Sequence, residues 1–184
     1  MTEINDKCLE VFPNWLRTLD EDVKVLFDAL LDHNLGDEPR RFLTGGINYL
    51  FKSLDLIPDG IDDIGYMDDA FVLRLAAKST LEGDIGAIDP ELLGRLGRLA
   101  NDAELIREFL GPDTFARLDK YTRDLRKGAA RGRTVDEIME DATVMREFSA
   151  EVVGFIKDYK SPGFTKDEKN LIKLKAFFEA KLPK

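Results

Sequence analysis

One cysteine and one histidine in 184 residues exclude several kinds of chemistry at the outset. Cys8 has no partner for an intrachain disulfide, and Cys8 with His33 falls short of the ligand set that a zinc site draws from one chain. Each also reads as a helix residue beside an apolar stripe, so a Cys–His nucleophile pair is not expected. Long apolar runs are missing too, with no window near the ~18 uninterrupted apolar residues that a bilayer span needs. The opening MTEINDKCLEVF has neither a basic start nor an apolar core, so no signal peptide is expected and the cytosol is the expected location. Positive charge is also short: 27 Lys and Arg against 36 Asp and Glu give a net charge of −9, which argues against a nucleic-acid partner. No sustained alternation of β period, internal repeat or low-complexity tract is found.

What remains is a chain 43% hydrophobic and 34% charged, within the globular range. Its spacing predicts helices almost throughout. Residues 3–19 carry an apolar stripe that Pro13 is expected to split in two. Asp20 is placed as the cap of the next helix, with Val23, Leu26, Phe27, Leu30 and Leu31 on one face. Asp37 with Pro39 opens a third helix, where Gly45-Gly46 predicts either a break or a close approach. A strong helix runs from Tyr66 to about Leu81, and Asp89-Pro90 caps another. Asn101 with Glu104 resembles a reciprocal cap, and Gly111-Pro112 marks an interruption. KGAARGR, 127–133, is the candidate linker. Thr134 with Glu137 and Thr165 with Glu168 read as capping boxes, giving a helical pair over 134–184. The expectation is one all-α domain over 1–184, a multi-helix bundle with a central hairpin at 46–79 around an aspartate-rich loop.

Charge is unevenly spread. From Lys157 to Lys184 eight lysines face four acids, a net of +4 that leaves −13 for residues 1–156. The stretch SLDLIPDGIDDIGYMDDAFVL, 53–73, holds six aspartates (Asp55, Asp59, Asp62, Asp63, Asp68 and Asp69) and no basic residue. Such a group needs water, helix N-termini, basic side chains or a metal to offset its repulsion. One reading is structural: Asp68 and Asp69 in a first helical turn, Asp55 and Asp59 in turns, with Arg40, Arg41, Lys52 and Arg74 reaching back. The other is a Mg2+ or Ca2+ site using two or three of the six. The EF-hand template fails, since with Asp55 first, Ile57 and Tyr66 fall where carboxylates are required.

The order Ser53, Asp55, Leu56, Ile57, Pro58, Asp59, Ile61, Gly65, Met67, Asp68, Asp69 resembles the signature of the YkvA-like family, small bacterial helical proteins catalogued as a domain of unknown function. The resemblance covers about 46–79. It implies a helical hairpin with the acidic loop at one end, and no activity. Leu54 and Asp62 stand where the family pattern has prolines, and Asp63 adds a further acid. Many relatives have apolar, membrane-associated helices, a trait that Arg74 does not let us transfer. The expected role is binding or scaffolding, through a protein partner or self-association, rather than catalysis. Two alternatives stand beside it: a metal-dependent hydrolase or lyase using the loop, and a membrane-surface adaptor using the basic last helix.

Overall fold

The computed structural model describes residues 2–53, 55–61 and 63–184. The chain is an all-α bundle: α1 Glu3–Arg17, α2 Leu19–Leu30, α3 Asp37–Tyr49, α4 Met67–Leu81, α5 Pro90–Asn101, α6 Ala103–Leu110, α7 Pro112–Asp124, α8 Val135–Glu140, α9 Ala142–Asp158 and α10 Glu168–Lys181. Helix α4 is its axis. Apart from half-buried Lys78 and Leu81 it has no exposed side, and it packs on α3 and α5 along its length and touches α1, α2, α6 and α7. An all-round apolar helix of this kind is stable only when surrounded.

Aromatic side chains tie the surrounding helices to that axis. Phe71 of α4 meets Phe12 of α1 at 5.3 Å and Phe109 of α6 at 6.3 Å, edge-on, and stacks on Phe178 of α10 at 5.1 Å. Such contacts add to the burial of the rings themselves. Phe12 is possible in this role because α1 runs unbroken through Pro13, contrary to the expected split. One missing N–H is offset by a stripe (Cys8, Leu9, Phe12, Trp15, Leu16) that stays buried on both sides of the proline.

Helix α3 approaches α4 through its glycines. A Cβ on Gly46 would lie 2.6 Å from that of Ala76, and one on Gly45 would lie 2.8–2.9 Å from the backbone of Leu125 and Arg126. The pair marks a close approach, and the helix is unbroken.

Several local expectations are corrected. Thr18, which makes no side-chain capping bond, precedes α2, and Asp20 sits in its first turn. Asn101 ends α5 instead of capping α6, and Asp102 makes no cap bond there. Thr134 and Glu137 do form a capping box, but the stripe beyond is cut at Asp141, which accepts from Thr143 N and Val144 N and restarts the chain as α9. Asp167, not Thr165, caps α10.

The 127–133 segment, expected as a linker, closes a 3-10 turn at Leu125–Lys127 and a small hairpin in which Ala129 pairs with Thr134 and Ala130 with Arg133. Buried Arg133 anchors it, bonding Glu151 at 2.6 Å between the rings of Phe51 and Phe148. The expected C-terminal pair is not a unit of its own: α9 packs on α2 and α8, and α10 on α1 and α7.

Gly45→Ala is therefore expected to lower stability by about 1–3 kcal/mol, because backbone cannot move aside as a side chain can. Gly94→Ala, where the new methyl meets nothing within 4 Å, should be neutral or stabilise by about 0.5–1 kcal/mol. Urea unfolding midpoints at unchanged slope measure both; equal effects would refute the close-packing account.

Candidate functional site

Between α3 and α4 the chain makes a loop whose apolar residues point inward: Leu56, Ile57 and Ile64 are buried. Pro58 and Ile61 close one turn (Ile61 N to Pro58 O, 3.1 Å) and Gly65 N returns to Ile61 O at 2.9 Å. Gly65 is required here, since a Cβ would fall 2.3 Å from the Asp59 carbonyl oxygen. Asp63 and Tyr66 adopt left-handed backbone (φ 70° and 67°), unusual for residues other than glycine and a mark of stored strain.

Tyr49, the last residue of α3, is the clasp. Its hydroxyl accepts from Leu56 N at 2.8 Å and donates to Asp68 Oδ2 at 2.5 Å, and the same oxygen accepts from Ile57 N at 3.1 Å. Burial and the nearby carboxylates of Asp68 and Asp69 hold Tyr49 protonated far above the usual phenol range. The loop is thus fastened to both flanking helices through one carboxylate oxygen. Helical periodicity alone does not single out this role. A phenol at the end of the third helix, just before the acidic segment, was the available signal.

The candidate aspartates part company. Asp68 and Asp69 are buried, at 0% and 2% exposure, and Asp55 and Asp59 face them from the loop, near enough to repel them. Asp55 Oδ1, Asp68 Oδ1 and Asp69 Oδ2 are buried oxygens with no hydrogen-bond partner among the described residues. Asp63 is engaged elsewhere, its Oδ1 accepting from Thr165 N at 3.1 Å and Thr165 Oγ1 at 3.2 Å. Asp62 lies outside the described residues.

Of the four basic side chains expected to reach back, Arg40 forms no ion pair among the described residues and the other three have other partners. Arg41 pairs with Asp37 and Asp136, and Lys52 bonds the Tyr121 hydroxyl at 3.0 Å while drawing Asp55 only weakly. Arg74 is buried over the Trp15 ring at 4.0 Å, paired with Asp22 at 3.0 Å and Asp102 at 2.9 Å. It lines a cleft of about 780 Å³ together with Arg95 and Arg98, and none of the loop aspartates shares that cleft.

Burial, then the charge of Asp68 and Asp59, pushes Asp55 up to about 7. Asp59 is exposed at the surface and is raised only by partial desolvation, whereas burial with mutual repulsion raises Asp68 and Asp69 above the usual carboxylate range. The cluster holds protons more readily than free aspartates do, and a cation could take their place. As the loop stands, no three His, Cys, Asp or Glu side chains among the described residues converge closely enough to hold a metal ion. A coordination sphere requires Asp55 and Asp59 to close on the start of α4.

Comparison with known proteins bears on the YkvA-like resemblance. Over 59 residues the chain is 41% identical to the uncharacterized membrane protein YkvA of Bacillus subtilis (strain 168), a match covering 29% of this chain and 56% of the relative. The chain therefore matches little more than half the relative's length. No family model matches, so the YkvA-like relation stands on this likeness and the finer domain assignment is without support. No solved structure matches. The relative's description as a membrane protein overturns the expected cytosolic location. Among the described residues no helix is long and apolar enough to cross a membrane.

The raised carboxylates fix the sign of one pH effect. Each binds its proton more tightly folded than unfolded, so its contribution is full below about pH 4 and is lost as pH rises through the folded value. Asp22, raised to about 6 by burial against the pull of Arg74, adds in the same direction. Unfolding free energy should fall between about pH 5 and about pH 8, and Asp69→Asn should flatten part of that slope. A wild-type profile that rises across this window would contradict the burial of the cluster.

Proposed function

We propose that the chain is a helical binding module whose acidic loop takes a hard divalent cation, Mg2+ or Ca2+, between Asp55 and Asp59 on the loop and Asp68 and Asp69 on α4. The observation that carries this reading is the set of three buried carboxylate oxygens without partners, drawn from both sides of the loop. Buried acceptors left unpaired cost free energy, and no arginine or lysine among the described residues forms an ion pair with them. An oxygen-only donor set suits a hard cation. Binding is favoured over hydrolysis because the substrate-sized cleft beside Arg74 lies apart from these carboxylates.

At about ten times its Kd, Mg2+ or Ca2+ should raise Tm by about 3–6 °C, with matching heat in calorimetry. Asp69→Asn should abolish the rise while leaving the ion-free protein as stable or more so, since it removes repulsion at a site with no cationic partner. Tyr49→Phe should cost about 1–3 kcal/mol with or without the ion, because it orphans Leu56 N and leaves Asp68 Oδ2 with Ile57 N alone. Neither heat nor a Tm change with either ion would sink the cation reading.

A second reading, membrane-surface attachment, is favoured by the description of the relative. On α10 the exposed Lys169 and Lys173 flank Ile172, itself 63% exposed, on the side opposite buried Leu171, Leu174 and Phe178. Basic and apolar side chains on one helix face suit an anionic lipid surface. It predicts sedimentation with phosphatidylserine vesicles and none with phosphatidylcholine alone, lost in a Lys169→Glu/Lys173→Glu variant; equal behaviour with both lipids removes it.

A further inference from the structure

The arginines that are not exposed are almost all committed. Arg41, Arg74, Arg95, Arg123, Arg126 and Arg133 are ion-paired, and Arg117 donates to the carbonyls of Glu179, Leu182 and Pro183. Arg40 is the exception: it is half-buried, and its guanidinium has neither an acid nor a hydrogen-bond acceptor among the described residues. It lines a pocket of about 370 Å³ between α2, α3, α8 and α9, whose other walls are Leu30, Leu35, Ile138, Met139 and Met145. The two methionines stand on either side of the break at Asp141 that separates α8 from α9. The remaining polar side chains of the lining are occupied: Thr44 Oγ1 donates to Arg40 O at 2.8 Å, and Asp37 Oδ2 accepts from Arg41 Nε at 2.9 Å. The pocket thus joins one uncommitted cation to a largely apolar wall.

We propose that this pocket binds a small aliphatic carboxylate, with its carboxylate on the Arg40 guanidinium and its alkyl chain among Leu30, Leu35, Ile138 and the two methionines. A planar guanidinium offers parallel N–H donors that match the two oxygens of one carboxylate. A phosphate dianion asks for more positive charge than a single uncommitted arginine supplies. The alkyl chain gains from the apolar wall in proportion to the area it buries. Unbranched methionine side chains adapt to a flexible chain better than branched ones do. A pocket of about 370 Å³ lies at the small end of the ~300–1,000 Å³ typical of ligand sites, which favours a medium chain over a long one. Half-buried donors have lost part of their hydration, and the bound carboxylate supplies the acceptor that the protein does not. None of the loop aspartates lines this pocket, so the assignment is independent of the cation reading.

Methionine-methyl NMR of the full chain reads the pocket directly. Met139 and Met145 line it, and Met67, buried in α4, is the internal control. Octanoate should shift the Met139 and Met145 methyl resonances saturably and leave Met67 unmoved. From butanoate to octanoate the affinity should rise about fourfold per methylene, as expected when each is buried against apolar surface. 1-Octanol, with the same chain and no charge, should bind at least about tenfold more weakly than octanoate. Arg40→Gln breaks no side-chain contact of the folded protein, so it should lower octanoate affinity about tenfold and leave that of 1-octanol unchanged. Arg40→Lys, which keeps the charge and loses the fork, should fall between wild type and Arg40→Gln. Absence of shifts at Met139 and Met145, or shifts that move Met67 as much, overturns the site. An affinity that does not grow with chain length overturns the alkyl assignment and the proposal with it. So does equal affinity for acid and alcohol in wild type, or octanoate binding undiminished in Arg40→Gln. Where Arg40→Gln loses the alcohol as well, the wild-type preference for acid over alcohol decides.

Discussion

A helix with almost no solvent-facing side must dispose of every polar group it carries, and α4 carries three charged ones in seven residues: Asp68, Asp69 and Arg74. Burying a charge without compensation costs several kcal/mol, so each must be paired, protonated or bound to something. Arg74 is fully provided for, by Asp22, Asp102, the Ala70 carbonyl and the Trp15 ring. Asp68 is half provided for, by Tyr49 and Ile57 N at one oxygen. Asp69 has Oδ2 without a partner and three carboxylates for neighbours. The gradient along one helix, from satisfied to unsatisfied, marks its N-terminal end as the place where buried charge is least compensated.

That constraint orders the rest of the architecture. Seven helices cover α4, and the aromatic group around Phe71 lets α1, α6 and α10 do so from distant parts of the chain. Gly46 lets α3 come close enough for the Tyr49 hydroxyl to reach Asp68, and Gly65 lets the loop fold back over the start of α4. The close helix approach and the clasp are one arrangement: a bulkier residue at position 46 would push α3 away and take the Tyr49 hydroxyl with it.

Helix existence was largely legible in the chain, because apolar periodicity and the Asp89 and Thr134 caps are local signals that tertiary contacts reinforce. Where reading failed, a distant partner decided. Pro13 does not split α1, because burial of Phe12 and Trp15 on either side outweighs one lost hydrogen bond. Thr165 does not cap α10, because Asp63, 102 residues away, holds it. The 127–133 segment is glycine-rich and basic, as linkers are, yet Arg133 fixes it against Glu151 and two rings. The acidic stretch was visible as a composition anomaly. Which aspartates lack partners was not, because that depends on where Arg41, Lys52 and Arg74 go, and all three go elsewhere.

Unpaired carboxylates at the start of a central helix are expensive for a protein that only needs to fold. Replacing Asp69 with a neutral isostere would remove repulsion without touching the Tyr49 clasp, so stability alone gives no reason to keep the charge. The cost falls at the loop, where Asp63 and Tyr66 are already strained, and not in the aromatic core around Phe71. Linkage makes that placement meaningful: a ligand shifts an equilibrium only by its differential affinity for two states. Carboxylates that repel one another when unbound, and that on the reading proposed above share a cation when bound, supply such a difference. With the strain confined to a few residues between α3 and α4, the difference acts on the loop and leaves the bundle as a fixed frame.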